Sequence, residues 1–244
     1  MELKRFLDMP NCVISKELRS MISESGNNTL TPFENKNDIL YSRDLQKDMG
    51  YSQFESGDWL VSVTCEMPDV TKEMVDWWFW WHPQENIRYK IWFPGEHYAV
   101  GYSKKDRAYF SSEKQPPFKE NIQYPVERIG KLVMPLSIHF TEAEHFGFTQ
   151  SAIKDNSVET VVCGHVGALY GLVSHTEMCH IFFKRDGGGL TLVSRFWIGK
   201  RLRNPLLRKV ILTEETAKGM AEHCYIEYSN FARRIPELFN EYKR

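Results

Sequence analysis

The pattern of apolar and polar positions changes at residue 58. Up to residue 57 polar residues dominate, Asn and Ser cluster at 23–28, and one or two short helices fit the pattern, such as Ser15 to Ser23. From Asp58 onward apolar residues recur in runs of strand length. Trp59 to Cys65 is rich in β-formers between Gly57 and Pro68, and further runs follow at 87–93, 96–102, 124–129, 131–140, 160–167, 177–184 and 190–198. The last two are joined by Asp186-Gly187-Gly188-Gly189, which predicts a hairpin. The charged stretch 103–121, with Pro116-Pro117, reads as a loop.

Two segments carry a helical pattern. One is capped at Asp69 or Thr71 and runs into Trp77-Trp78-Phe79-Trp80-Trp81-His82-Pro83. With aromatic rings on every side it must be buried or line a cavity. Pro83 is expected to push His82 out of the helical region and end the helix there. The other opens at Thr213-Glu214-Glu215 and carries an apolar stripe of Ala217, Met220, Ala221, Cys224, Tyr228 and Phe231. It is predicted to reach about Arg234, before Pro236. Seven or eight mostly antiparallel strands and one long C-terminal helix predict an α+β domain over 58–244, a curved sheet wrapping a helix with a cavity between them. Residues 1–57 form an N-terminal extension that can pack on this domain or on a partner subunit in a homodimer.

Composition narrows the class. A net charge of −1 gives no reason to invoke nucleic acid or an anionic membrane surface. No apolar run is long enough to span a bilayer, and the start Met1-Glu2-Leu3-Lys4-Arg5 lacks a signal core, so a cytoplasmic location is expected. Five cysteines without a C-x-x-C pair read as reduced, small core residues. Aromatics at 14% suit the lining of a flat organic ligand. There is no P-loop, dinucleotide fingerprint or G-x-S-x-G elbow.

The chemistry resides in histidines and glutamates. His223 and Glu227 are four apart on the last helix and share a face beside the apolar stripe. A buried carboxylate there needs either a neighbouring arginine or a cation shared with the imidazole. His82, delivered by the aromatic helix, is either a hydrogen-bonded core residue or a further ligand. Glu127, on the strand at 124–129, either pairs with Arg128 or Lys131 or joins the same group; Glu113 in the polar loop is its rival. His82, Glu127, His223 and Glu227 together would supply two nitrogens and two oxygens, a set suited to Zn²⁺ with an open position. His180, mid-strand among apolar residues, is either a satisfied core histidine or a general acid facing the cavity, and His165 is a lesser candidate for that role. His97 reads as a turn residue or a partner behind the ligands. Tyr98, Tyr102 and Tyr225 could bond a phenol.

Several motifs resemble the 2,4-diacetylphloroglucinol hydrolase family, which includes phloretin hydrolase. They are Glu73 to Pro83, Arg88 to His97, Ser194 to Gly199, and His223 to Ala232 followed by Ile235-Pro236-Glu237-Leu238. The likeness runs from about Trp59 to Tyr242. It implies a helix-grip fold of the Bet v 1 or START-like kind, a bound zinc, and hydrolysis of the carbon–carbon bond between a phenolic ring and an acyl group. It implies zinc ligands at His82, His223 and Glu227, with Glu127 fourth, and a catalytic histidine at His180. Phe196 stands where the family has a tyrosine. The resulting expectation is a zinc-dependent hydrolase of an acylated polyphenol, with His180 and Glu127 catalytic and Trp78, Trp81 and Phe196 against the substrate. The alternatives are a grip-fold carrier that only binds an aromatic or lipid ligand, and a zinc hydrolase of another bond such as an ester.

Overall fold

The computed structural model describes residues 3–204, 208 and 212–243. Among them nine strands form one antiparallel sheet: β1 (Gly50–Gln53), β2 (Trp59–Met67), β3 (His97–Ala99), β4 (Asn121–Gln123), β5 (Val126–Ile129), β6 (Leu132–Thr141), β7 (Val158–Ala168), β8 (Val173–Lys184) and β9 (Leu190–Ile198). The order is β1-β2-β9-β8-β7-β6-β5-β3, with β4 also paired to β6. The β8–β9 hairpin turns at the predicted glycines.

Alternation along the strands gives the sheet two apolar faces. On β8, Cys179, Ile181 and Phe183 pack under Ile39, Leu40, Phe146 and Phe148. Met178 and His180 turn the other way, into a cavity beneath the C-terminal helix, Glu214–Tyr242. All five cysteines are free thiols, and four of them are buried. No helix among the described residues is long and apolar enough to cross a membrane.

Three local expectations change. The segment 87–93 is not a strand: Asn86–Lys90 is a short helix, which turns Tyr89 and then Trp92 inward to line the cavity. The C-terminal helix does not stop at Arg234 but carries Pro236 inside it. The last turns are held by packing: Phe239 lies edge-on against Trp77, and Tyr242 lies against Trp81. His82 stays helical at φ −66°, ψ −33°, because Pro83 begins a 3₁₀ turn (His82–Gln84) there instead of an extended segment.

The N-terminal residues are built into the domain. β1 is the sheet's edge strand, and Phe6, Ile14 and Ile22 enter the core. Arg234, almost fully buried, donates to the carbonyls of Met9, Ile91 and Trp92, tying the chain's start to the segment after the aromatic helix. Residues 201–209 are rich in Arg and Lys and are described only in part, since 205–207 and 209 lie outside the described residues. Among them, Arg201 pairs with Glu177 and Arg208 lies near Asp58.

One close approach sets the register between helix and sheet. Gly130, at φ +60°, turns β5 into β6 directly against Gly219 of the C-terminal helix. A Cβ on Gly219 would lie 2.9 Å from the Gly130 Cα, so only glycine permits the contact. Glu127 precedes this point by three residues and His223 follows it by four, so the contact fixes their separation. We expect Gly219→Val to cost at least about 2 kcal/mol by overpacking, read by denaturant melts. Gly187→Ala, where nothing lies within 4 Å, should have little effect. Equal stability of the two variants would contradict this role for the glycine pair.

Candidate metal centre

Four side chains converge at one end of the cavity. His97 on β3 is the direct cross-strand partner of Glu127 on β5, with Nε2 3.7 Å from Oε2. His223 and Glu227 approach from the C-terminal helix, their i, i+4 spacing putting both on the inward face. His97 Nε2 is 3.4 Å from His223 Nε2 and 3.4 Å from Glu227 Oε1. Ligand atoms of His97, Glu127 and His223 lie within 4.8 Å of one another.

The surroundings orient these groups. His97 Nδ1 is 3.2 Å from the Tyr89 carbonyl, which can only accept, so Nδ1 carries the proton and Nε2 offers a lone pair. The His97 ring stacks on Tyr89 at 4.0 Å, and the Tyr89 hydroxyl donates to Glu127 Oε2. His223 is bonded to the backbone of Arg128. The cluster thus faces itself with acceptors only, two imidazole nitrogens and two carboxylates, and a cation is the partner such a set lacks.

Electrostatics agree. Burial pushes Glu127 up to about 7. Burial, then the charge of Glu127, holds Glu227 well above the usual carboxylate range. Burial lowers His223 to about 4 and, with His223 nearby, holds His97 well below its ordinary value. Without a cation the carboxylates therefore tend to keep protons while the imidazoles lose theirs. The residues fit a divalent metal; two nitrogens and two oxygens are a borderline-soft set.

The cavity beyond this centre encloses about 880 Å³, counted out into its open side. Phe79, Trp92, Met178, Phe196 and Tyr228 give it apolar walls. His180 projects into it from β8, held by Ser194 Oγ at 2.8 Å from Nδ1, with the Tyr228 ring 4.8 Å away. Burial lowers His180 to about 3, so it is neutral near neutral pH.

Of the sequence-derived ligands, Glu127, His223 and Glu227 come together, and the imidazole beside them is His97 in place of His82. His82 lines the same cavity, but its Nδ1 is bonded to the Trp78 carbonyl at 2.8 Å, and burial lowers it to about 3. The Pro83 turn keeps it on the aromatic helix, whereas β3 carries His97 across to Glu127. Trp78 and Trp81 do not face the cavity: Trp78 is completely buried against Trp92 and Phe231, and Trp81 stacks on Trp77. Phe79 is the helix's cavity ring, and Phe196 also lines the cavity. His165 lies on the sheet's other face, against Glu177 and Phe146. Glu113 is exposed in its loop. Arg128 turns toward Glu96 and Lys131 pairs with Glu215, which leaves neither on Glu127. Tyr98 bonds Arg128 at the surface, and the phenols that reach the cavity are Tyr89 and Tyr228. Sequence reasoning missed Tyr89 and the place of His97 within the cluster; their spacing of eight residues across a turn carries no periodic signal.

An apolar cavity, open on one side, meets a group of two histidines and two glutamates that could hold a metal ion, which is the arrangement of an enzyme site for an apolar organic substrate. The chain belongs to the family described as the DAPG hydrolase PhiG domain, which matches residues 30–240. It is 30% identical over 227 residues to the phloretin hydrolase of Eubacterium ramulus, covering 87% of this chain and 79% of that one. It is 29% identical over 238 residues to the 2,4-diacetylphloroglucinol hydrolase of a Pseudomonas species, covering 88% and 78%. Among solved structures, a Staphylococcus aureus protein of unknown function is similar at a TM-score of 0.43 and 12% identity, over 75% of this chain and 98% of that one.

Two outcomes are expected. His97→Ala should lose bound metal in elemental analysis, whereas His82→Ala should retain it; the reverse pattern would contradict the geometry. Glu127 is raised in the fold relative to its ordinary 4.5, so its stabilising contribution is present at low pH and lost as pH rises through about 7. The lowered His223 acts in the opposite sense, but its gain is complete by about pH 6.5. Chelated protein should therefore lose thermal stability from about pH 6.5 to about pH 8. A divalent metal should restore it increasingly with pH, since binding displaces protons. A flat profile for chelated protein would contradict the coupled burial of these carboxylates.

Proposed function

We propose that this chain is a zinc-dependent hydrolase that cleaves the carbon–carbon bond between a phenolic ring and an acyl group, releasing a phenol and a carboxylic acid, on a helix-grip fold of the Bet v 1-like kind. The observation that carries the reading is the cluster of His97, Glu127, His223 and Glu227 at the end of a cavity into which His180 projects. Family membership and the relatives' names support it.

The aryl–acyl bond resists cleavage because an aryl carbanion is a poor leaving group. Protonation of the ring carbon turns the ring into a ketonised form that can leave. His97, Glu127, His223 and Glu227 would hold the zinc, which when bound polarises an acyl oxygen and makes water nucleophilic near neutral pH.

The chain's own groups do the rest. Phe79, Trp92 and Phe196 bind a flat ring and exclude bulk water. Ser194 holds the His180 ring so that Nε2 is left for the substrate. His180 is neutral in the empty cavity, and a phenolate beside it raises its affinity for a proton by opposite-charge attraction. On taking the phenolic proton it becomes the imidazolium that this newly formed phenolate stabilises, and it returns the proton to the ring carbon as a general acid. Tyr89, donating to Glu127, fixes that carboxylate's orientation.

The test is product analysis with mono- and diacylphloroglucinols beside matched phenyl esters. The ketones should give a phenol and an acid, and His180→Ala should lower kcat by about 10²–10⁴-fold with metal content unchanged. Ketones bound but returned intact by metal-loaded protein would indicate a carrier, and cleavage of esters alone a different hydrolase.

A further inference from the structure

Once His180 has given its proton to the ring carbon, no group named so far donates to the ring oxygen. Several polar side chains lining the cavity are engaged with the protein itself. Tyr89 gives its hydroxyl to Glu127. Gln123 donates to the Phe79 carbonyl and to Asn121 Oδ1. His82 Nδ1 is bonded to the Trp78 carbonyl, and His175 Nδ1 to Thr176 Oγ1 at 2.6 Å.

Tyr228 differs. It lines the cavity from the C-terminal helix and is only 1% exposed. Among the described residues its hydroxyl has no hydrogen-bond partner, and it is not walled in by the core as Trp77 Nε1 and Trp78 Nε1 are. The hydroxyl therefore opens onto the cavity. The ring is held by its faces and edges: His180 lies 4.8 Å away at 48°, Trp92 5.6 Å away edge-on, and Phe231 5.8 Å away. Phe196, edge-on to His180 at 5.5 Å, has no donor to offer. Tyr228 follows Glu227 in the chain while its ring touches His180, so it stands between the candidate metal centre and the proposed acid. A buried hydroxyl without a partner is costly, and a ligand oxygen would supply one. A phenol is protonated near neutral pH and can donate.

Resting on the ring–acyl reading above, we infer that the Tyr228 hydroxyl is the hydrogen-bond donor to the substrate's ring oxygen next to the acyl group. The electron balance calls for a donor at that atom. After His180 protonates the ring carbon, the imidazole is neutral and the ring oxygen is a carbonyl. When the aryl–acyl bond breaks, its electron pair passes through the ring to that oxygen, which becomes a phenolate. Water supplies the hydroxyl of the released acid, and its remaining proton ends on the phenolate. Tyr228 keeps its own proton throughout and stabilises the oxygen as charge collects there, in a site that holds little water.

The test is Tyr228→Phe in the metal-loaded protein, which removes the hydroxyl and keeps the ring. Calorimetry compares ethylphloroglucinol, which has the ring hydroxyls but no acyl group to cleave, with ethylbenzene, which has neither. The variant should bind ethylphloroglucinol about three- to tenfold more weakly and ethylbenzene at least as tightly as the parent does. With acetylphloroglucinol, kcat should fall about 10²–10³-fold and KM by much less, with metal content and melting temperature maintained. Equal binding of ethylphloroglucinol by the two proteins overturns the inference. So does weaker binding of both ligands, or a loss of kcat that comes with loss of metal or a lower melting temperature, because each marks a packing role. Failure of the parent protein to cleave the ketone counts against the hydrolase reading, while the binding pair still decides whether Tyr228 meets a ring oxygen.

Discussion

Two carboxylates and two imidazoles occupy one buried volume, where the Tyr89 hydroxyl donates to Glu127. Such a group is costly without a cation, because burial raises Glu127 and Glu227 and strips His97 and His223 of their protons. The fold holds the four together nonetheless. Glu127 and His97 are locked by β3–β5 pairing, and His223 and Glu227 by one helix turn. The two halves meet because Gly130 and Gly219 bring backbone against backbone.

The remaining architecture serves that convergence. The aromatic helix packs Trp77 and Trp81 against Phe239 and Tyr242 at the end of the C-terminal helix. Arg234 ties the same helix to the backbone of Ile91 and Trp92, five residues before His97. The N-terminal residues close the circuit through Met9 and Pro10. Between the helix and the sheet remains an apolar space in which a planar ring can be held dry beside the charged end, with His180 on the sheet side. A dry site strengthens the electrostatic interactions within it.

Much of this was legible in the amino-acid order. The C-terminal helix, its His223/Glu227 face and the β8–β9 hairpin follow from periodicity and turn residues, because each depends on residues close in sequence. The rest depended on tertiary geometry. His82 and His97 both come shortly after aromatic residues and near a proline, and the resemblance favoured the former. Only the strand pairing of β3 with β5, a contact across 30 residues, selects the latter. The Trp-rich helix announced an aromatic environment but not which ring faces the cavity; the tryptophans fill the core and Phe79 takes the exposed side. Pro236 stops a helix by local rules, yet here packing of Phe239 and Tyr242 against the aromatic helix overrides it.

The central claim is that one cation is shared by residues 97, 127, 223 and 227. Anomalous diffraction at the zinc absorption edge from crystals of the metal-loaded protein tests it most directly. The account requires a single strong peak in bonding contact with Nε2 of His97, Nε2 of His223 and the carboxylates of Glu127 and Glu227. A peak centred on His82, or a well-ordered cluster with no peak at full metal loading, would contradict it.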